Sequence, residues 1–482
     1  MSIAPDLSRL PRALAAAAIA LLLLGSPPAR SVESGSPVSA APATDAASPP
    51  GPAPAAAPAP VAPAPAAPTT TVTAPPPAPA PAAPAAVAPA APAPAAPPPA
   101  PAAAAPAPPP APAAAAPAAP APAQPALTVT AAPSVGGINN QTARYLAGMA
   151  PLPDSPIAAL AREDGWREHA RFFDHAFGEL ERTQLTRIRA WSKTQLRTHR
   201  PTMFYMFSGP DYLYADAFFP DASTYVLAGL EPVGQIPELL KMPHGALGPA
   251  LRNMTNSMHS VLNFSFFKTH DMRQELSTGR LGGTTPILLV FLARAGKIVH
   301  EITLVALDAE GVEHAESEHI KSTAHGVKIT FSGGDGRLQT LYYFSTNLAD
   351  DGFPRGGLMP FCEKLAPADS LIKSASYLMH SGGFTKVRDF LVAHSATLLE
   401  DDSGIPLAYF DRRKWELKPF GHYLQPLGIF PNTYQPKLAE LFRKSAAPIN
   451  FGVGYRWHPN ESNLLLAVRD DSTGAGALAA PK

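Results

Sequence analysis

Cysteine is nearly absent from this sequence, in which Cys362 is the only one among 482 residues. A single cysteine forms no disulfide within the chain, so the fold must depend on its hydrophobic core. A surplus of one charge is also lacking, because 38 basic side chains balance 38 acidic ones. Without a basic surface to contact phosphates, the sequence predicts no nucleic-acid partner.

An apolar run long enough to span a bilayer is lacking too, since residues 13–24 fall short of the about 20 that spanning needs. Arg9 and Arg12 precede this run, and small residues and prolines follow it, which is the pattern of a secretory signal. We predict a signal peptide at residues 1–30, with an uncleaved inner-membrane anchor as the alternative. The mature chain, without a spanning segment, is predicted to be periplasmic, secreted or on a bacterial cell surface.

Proline is the residue in greatest excess, and most of the 60 prolines lie in an Ala-Pro tract. Proline lacks an amide hydrogen and restricts the residue before it, so this tract favours extended polyproline II over helix or sheet. We predict a disordered Ala/Pro-rich spacer at residues 31–135. A globular domain is predicted at residues 136–482, with a possible sub-boundary near residue 348.

The globular part has the pattern of an α+β fold. One long or two consecutive amphipathic helices are predicted between residue 155 and Pro201. Short aromatic and β-branched runs predict strands, among them residues 202–207, 212–219, 223–230, 285–295, 325–333 and 337–348. Residues 236–276 predict a mostly helical passage, and residues 368–380 predict a helix. Because the strands come in hairpins and the helices in blocks, we expect a largely antiparallel sheet with helices packed on one side.

Asp216 is the first candidate for catalysis. If residues 212–219 form a strand, Asp216 lies among aromatic side chains, where an unpaired carboxylate is costly. A partnered acid of this kind is a common general acid or base. The alternative is a structural carboxylate that caps backbone amides or pairs with an arginine. Asp211 is a second candidate, although a Pro-Asp turn also accounts for it.

Residues 400–423 form a second candidate region, because loops that combine aromatic and charged side chains often carry binding sites. The candidates for catalysis here are Asp402, Asp411 and His422, and the candidates for binding are Trp415, Tyr423, Arg412 and Arg413. The aromatic rings are suited to stack on a sugar or to cap a groove. The alternative is a turn followed by a solvated, charged strand.

Three further patterns do not predict a site. His314, Glu316 and Glu318 alternate, but their spacing matches no zinc motif, so an exposed hairpin tip is expected and no metal is predicted. Ser370 and Lys373 fit an S-x-x-K pattern without the companion motifs of serine acyl-enzymes. No glycine-rich loop has the spacing of a phosphate-binding motif, and no cofactor is predicted.

Two functions agree with these observations. In the first, an exported envelope or surface protein presents a globular binding or scaffolding domain on the spacer, to a cell-envelope polymer or an envelope protein. In the second, an exported hydrolase acts on an envelope or extracellular polymer with carboxylates and a histidine. The hydrolase requires the two acidic regions to share one cleft, whereas the binding domain requires an apolar patch rimmed by Trp415 and Tyr423.

Overall fold

The computed structural model describes residues 135–197, 199–243, 245–258, 261–262, 281–318, 320–321 and 324–470. The predicted signal peptide and spacer lie outside these residues, as does part of the helical passage predicted at residues 236–276. Within the described part of the chain, no helix combines the length and the apolar character that crossing a membrane requires.

The helices occur in blocks that are separated by strands. They are α1 (Ile138–Leu146), α2 (Asp164–Leu180), α3 (Thr186–Gln195), α4 (Tyr212–Phe218), α5 (Leu247–Ser257), α6 (Thr285–Arg294), α7 (Leu358–Leu365), α8 (Thr385–His394) and α9 (Pro436–Ser445). A π turn at Glu181–Leu185 joins α2 to α3, so the predicted amphipathic helix is continuous from Asp164 to Gln195.

All described strands belong to one sheet. They are β1 (Thr202–Met206), β2 (Thr224–Gly229), β3 (Ile298–Leu307), β4 (Glu313–Ala315), β5 (Ala324–Ser332), β6 (Leu338–Ser345), β7 (Ala368–Ile372), β8 (Ser395–Glu400), β9 (Trp415–Gly421) and β10 (Asn463–Arg469). Their order in the ten-stranded sheet is β4-β3-β5-β6-β2-β1-β7-β8-β10-β9. Strands from both sides of residue 348 are therefore neighbours in the same sheet.

The sheet combines a parallel centre with antiparallel flanks. The strands β6, β2, β1, β7 and β8 are parallel to one another. β5, β3 and β4 extend one flank as antiparallel strands, and β10 and β9 extend the other. Five of the nine strand pairs are antiparallel, so the predicted α+β fold with a largely antiparallel sheet is confirmed.

Both faces of the sheet are covered. Tyr205, Tyr225 and Tyr343 point into a core that they share with α1 to α6. The alternate strand residues, such as Phe204 and Phe344, point into a second core that includes residues of α7, α8 and α9. The sequence prediction placed helices on one side, and the structure adds a second layer because parallel strands that are apolar on both faces need cover on both.

The prediction of a strand at residues 212–219 is wrong, because this segment is the helix α4. Asp211 starts the helix as its N-cap, with its side chain accepting a hydrogen bond from the amide of Tyr214. Every residue of α4 is buried, so the apolar pattern of a half-exposed helix is missing from the sequence.

Two other segments exchange their predicted types. Residues 285–295 were expected to form a strand but contain α6, whose ten residues are almost all buried and therefore show no helical periodicity. Residues 368–380 were expected to form a helix but contain β7 and a short 3-10 turn. All five residues of β7 are buried, as in other central parallel strands, so polar and apolar positions do not alternate.

We expect the substitution Gly326→Ala in β5 to lower the free energy of unfolding by about 1–3 kcal/mol, as overpacking does. A Cβ at this position would lie 2.5 Å from Cδ1 of Phe344 and 2.6 Å from the carbonyl oxygen of Tyr343. Urea unfolding measures the effect. Gly334→Ala is the control, since a Cβ there meets nothing within 4 Å. Equal stability of the two variants would contradict the close packing of β5 on β6.

Candidate functional site

The direction of the sheet connections reverses between β1 and β7. From β1 the chain passes through α4 to β2 on one side, and from β7 it passes through α8 to β8 on the other. β1 and β7 are parallel neighbours, so their carboxyl ends flank this switch point. In open parallel sheets, ligands bind in the crevice at such a point. The loops after β1, β7 and β8 therefore define the candidate site.

Left-handed backbone is concentrated in two of these loops. Phe207, Ser374, Ser376 and Tyr377 have φ angles of 62°, 56°, 53° and 54°. In the described part of the chain, Asn432 is the only other non-glycine residue with a positive φ. This conformation costs on the order of 1 kcal/mol or more per residue and tends to cluster at functional sites.

A buried ion pair joins the loop after β1 to the loop after β7. Oδ2 of Asp211 lies 2.9 Å from Nζ of Lys373, and each side chain is 2% exposed. The hydroxyl of Tyr205 donates to the same carboxylate oxygen at 2.9 Å. The Lys373 ammonium also lies 4.0 Å from the ring centroid of Tyr214, a cation–π contact. Burial raises the pKa of Asp211, and the charge of Lys373 opposes this.

The loop after β8 brings Asp401 to the same edge of the sheet. Its Oδ2 accepts the amide N–H of Ser374 at 2.9 Å, and its Oδ1 accepts the amide N–H of Ser403 at 3.0 Å. Burial and the neighbouring charge of Asp402 raise the pKa of Asp401 to about 7. Asp401 and Asp402 therefore titrate as a pair and hold a proton near neutral pH.

Asp402 is the half-buried member of the pair. The hydroxyl of Tyr377 donates to its Oδ2 at 2.6 Å, and the side-chain amide of Asn463 donates to its Oδ1 at 3.0 Å. Burial raises the pKa of Asp402, and these two donors act in the opposite direction. A partly exposed carboxylate with a fixed orientation is suited to accept a proton from a bound water.

Two polar atoms in the loop after β7 are buried without a hydrogen-bond partner, Oγ of Ser374 and Nε2 of His380. The imidazole lies 5.1 Å from the ring of Tyr377, between centroids. Burial lowers the pKa of His380 to about 4, so the ring is neutral at pH 7. An unpaired buried polar group costs about 1–3 kcal/mol, and a ligand that pairs with it removes this cost. Sequence reasoning missed His380, which stood at the end of a predicted helix.

Of the sequence candidates, Asp211 and Asp402 lie at this edge, and Asp216 lies at the opposite one. Oδ1 of Asp216 is 2.8 Å from Nζ of Lys297, with 9% and 11% of the side chains exposed. Nζ of Lys297 also donates to Gln339 near the start of β6. The structure therefore places Asp216 in a partnered, largely buried ion pair away from the switch point.

The candidates in residues 411–423 are divided between the two edges because β9 crosses the sheet between them. Asp411 accepts hydrogen bonds from Arg413, whose side chain is 88% exposed. Trp415 is 3% exposed and contacts the guanidinium of Arg469, so it forms no exposed rim. Arg412 is exposed at this same edge.

Tyr423 and His422 follow β9 at the other edge, on the side of the switch point. Burial, together with the charge of Asp402, raises the pKa of the half-buried Tyr423 to about 12, which places its hydroxyl within the field of the acid pair. The side chain of His422 is exposed. Tyr423 therefore lies near Asp402, whereas Trp415 is buried at the other edge, so these two rings do not rim one patch.

The weaker sequence patterns form no second centre. Ser370 hydrogen bonds Ser395 at 2.7 Å while Lys373 pairs with Asp211, so the S-x-x-K side chains have separate partners. His314 lies 2.9 Å from Asp308 and 3.1 Å from Glu318. Among the residues that the structure describes, no group of three or more histidine, cysteine or acidic side chains is placed to hold a metal.

Comparisons with protein families, with curated proteins and with solved structures find no match to this chain. We therefore infer the chemistry of the site from its own geometry. The site combines a pair of carboxylates with raised pKa values, a neutral imidazole and loops with left-handed backbone.

Asp401→Asn tests the raised pKa. The folded state binds this proton more tightly than the unfolded chain, whose aspartate pKa is about 4. Its stabilising contribution is therefore present at low pH and is lost as the pH rises from about 4 to about 7. We expect the stability of the wild type relative to Asp401→Asn to fall across this window, by at most about 1.4 kcal/mol per pH unit.

Urea unfolding at several pH values between 4 and 8 measures this difference. Asp335→Asn is the control, because the side chain of Asp335 is 65% exposed and its removal should give a flat difference. A flat or rising difference for Asp401→Asn would show that Asp401 is ionised throughout.

Asp216→Asn tests the structural ion pair with Lys297. Removing one partner of a largely buried pair leaves the other charge uncompensated, so we expect a loss of about 3 kcal/mol in unfolding free energy. The double variant Asp216→Asn, Lys297→Met should recover part of that loss. Asp221→Asn, at a side chain that is 61% exposed, is the matched control. An Asp216→Asn protein as stable as the wild type would rule out this structural role.

Proposed function

We propose that this protein is an exported hydrolase that acts on an envelope or extracellular polymer, with Asp402 as its general base. One observation carries the proposal: the Asp401–Asp402 pair lies where loops with left-handed backbone meet at the switch point of the parallel strands. Export, and a periplasmic, cell-surface or secreted location, are supported by the signal pattern of residues 1–30 and by the spacer that follows.

The proposed step is base-assisted attack by water. Asp402 accepts a proton from a bound water as the water oxygen attacks the scissile bond. Tyr377 and Asn463 hold the carboxylate in place before substrate arrives, so little reorganisation is needed. Asp402 then gives this proton to the leaving group, so one carboxylate acts first as base and then as acid.

The buried groups around the pair have a positioning role. Asp211 and Lys373 fix the loops after β1 and β7 relative to each other, and Asp401 fixes the backbone of Ser374. None of the side chains of Asp211, Lys373 and Asp401 needs to touch substrate for the proposed step. Their effect on rate comes through the position of Asp402.

A second candidate function is a non-catalytic binding or scaffolding domain that the spacer presents to an envelope polymer or protein. The observation that favours it is a group of exposed apolar side chains near the site. Leu424, Ile429 and Tyr434 are 45%, 75% and 50% exposed. In this function the polymer is bound and not cleaved.

The test is the release of soluble fragments from isolated cell envelopes and from a panel of purified extracellular polymers. We expect the wild type to release fragments and Asp402→Asn to be at least about 100-fold slower, as when a general base is removed. The matched control is Glu416→Gln, an acid that is 62% exposed on β9 and lies away from the site. It should retain wild-type rates.

Equal rates for Asp402→Asn and the wild type, with both proteins folded, would remove Asp402 from the reaction. Binding of a polymer without release by either protein would instead assign the binding or scaffolding function.

A further inference from the structure

Residues 422–435, between β9 and α9, form a surface beside Asp402 that we call the aromatic lip. The segment has no helix or strand over its 14 residues. Structureless connections of this length are uncommon in compact domains and usually have a function. The lip also contains no aspartate, glutamate, lysine or arginine. Its surface is therefore uncharged apart from any protonation of His422.

Two pairs of aromatic rings link residues of the lip to each other and to the surroundings of the carboxylate pair. Tyr434 stacks on Tyr423 with 5.7 Å between ring centroids and 18° between ring planes. Phe430 lies 5.0 Å from the ring of Tyr377, whose hydroxyl donates to Asp402. Tyr434 is 50% exposed, so part of its side chain is open to solvent.

Hydrogen bonds hold the lip in this arrangement. The amide N–H of Gln435 donates to the hydroxyl of Tyr423 at 2.9 Å. The hydroxyl of Thr433 donates to the carbonyl of Phe430 at 2.8 Å, and the guanidinium of Arg456 donates to the carbonyl of Gln425. Rings that are already ordered bind a ligand without the entropy cost of ordering them.

The lip has the chemistry to contact sugar rings. Aromatic faces pack against the C–H faces of a pyranose, and neutral polar side chains hydrogen bond its hydroxyls. Exposed polar side chains of the lip that are of this neutral kind are Gln425 and Asn432. A charged polymer would find no charged partner in the lip, and an anionic one would be repelled by the nearby acid pair. A lipid surface would require an apolar patch without these polar groups.

We propose that the aromatic lip binds an uncharged glycan chain and directs it to Asp402, so that the polymer of the proposed hydrolase is a polysaccharide. The cleavage rests on the proposed function, whereas binding by the lip is measurable without it. In the reaction the water oxygen bonds to the anomeric carbon as the glycosidic C–O bond breaks. Asp402 accepts the proton of the attacking water and then gives it to the leaving sugar oxygen, so the carboxylate is unchanged at the end of the step.

Affinity electrophoresis in gels that contain one polymer each tests the binding. The probes are hydroxyethyl cellulose, laminarin, soluble starch and xylan, with anionic polygalacturonate for comparison. We expect at least one uncharged glycan to retard the full chain and Tyr434→Ala to weaken this binding by roughly tenfold, as the loss of one stacked ring does. Tyr434→Phe keeps the ring face and should bind as the wild type does.

Two further variants separate binding from fold and from catalysis. Phe172→Ala removes an aromatic side chain on α2 that is 43% exposed, and it should leave glycan binding unchanged. Asp402→Asn should bind the same glycan and release no fragments from it.

The inference is overturned if no uncharged glycan binds, if only polygalacturonate binds, or if Tyr434→Ala binds as tightly as the wild type. Cleavage of another polymer, such as a protein, without glycan binding would overturn the inference and leave the hydrolase standing. Lip-dependent glycan binding without any cleavage would support the inference and overturn the hydrolase.

Discussion

The ion pair between Asp211 and Lys373 is the contact on which the site depends, because it joins the two loops that flank the switch point. Both charges are almost completely buried, so each needs the other. The same carboxylate caps α4, which begins directly after it. One interaction therefore fixes the end of β1, the start of α4 and the end of β7. The left-handed residues that follow Lys373 start from a fixed point, and the hydrogen bond from Ser374 to Asp401 holds the next one.

Three consecutive acids at the end of β8, Glu400, Asp401 and Asp402, have three different environments. Glu400, the last residue of β8, accepts the amide N–H of Ile405 at 2.6 Å, and burial raises its pKa. Asp401 hydrogen bonds the backbone of two loops, and of the three acids only Asp402 is partly exposed. Side-chain direction alternates at the end of a strand, so three similar acids in the sequence become a turn cap, a carboxylate that joins two loops and a partly exposed carboxylate.

The sequence predicted those parts of the fold that have a local cause. Aromatic and β-branched runs identified β1, β2, β5 and β6, and the amphipathic period identified the helix from Asp164 to Gln195. The type of the fully buried elements α4, α6 and β7 was predicted wrongly. Their residues are buried on every side, so polar and apolar residues do not alternate with the spacing of a helix or a strand. The parallel order of the central strands could not be predicted from the sequence either, because β1 pairs with β7 across more than 160 residues of chain.

The site was predicted in part for the same reason. Asp211, Asp402 and Tyr423 could be named from residue type and from their positions in turns. The partner of Asp216 is a lysine from a distant strand, and His380 becomes significant only when the loop after β7 brings it beside Asp402. Trp415 and Tyr423 seemed one feature in the sequence, but the seven residues of β9 carry them to opposite edges of the sheet.

The distribution of charge at the carboxyl edge links the acid pair to the aromatic lip. The acids after β8 are buried or half buried and hydrogen bonded, whereas the lip that borders them carries no aspartate, glutamate, lysine or arginine. In the proposed hydrolase, ring contacts in the lip supply affinity and Asp402 supplies reactivity. Substitutions at Tyr434 and at Asp402 therefore change binding and cleavage separately.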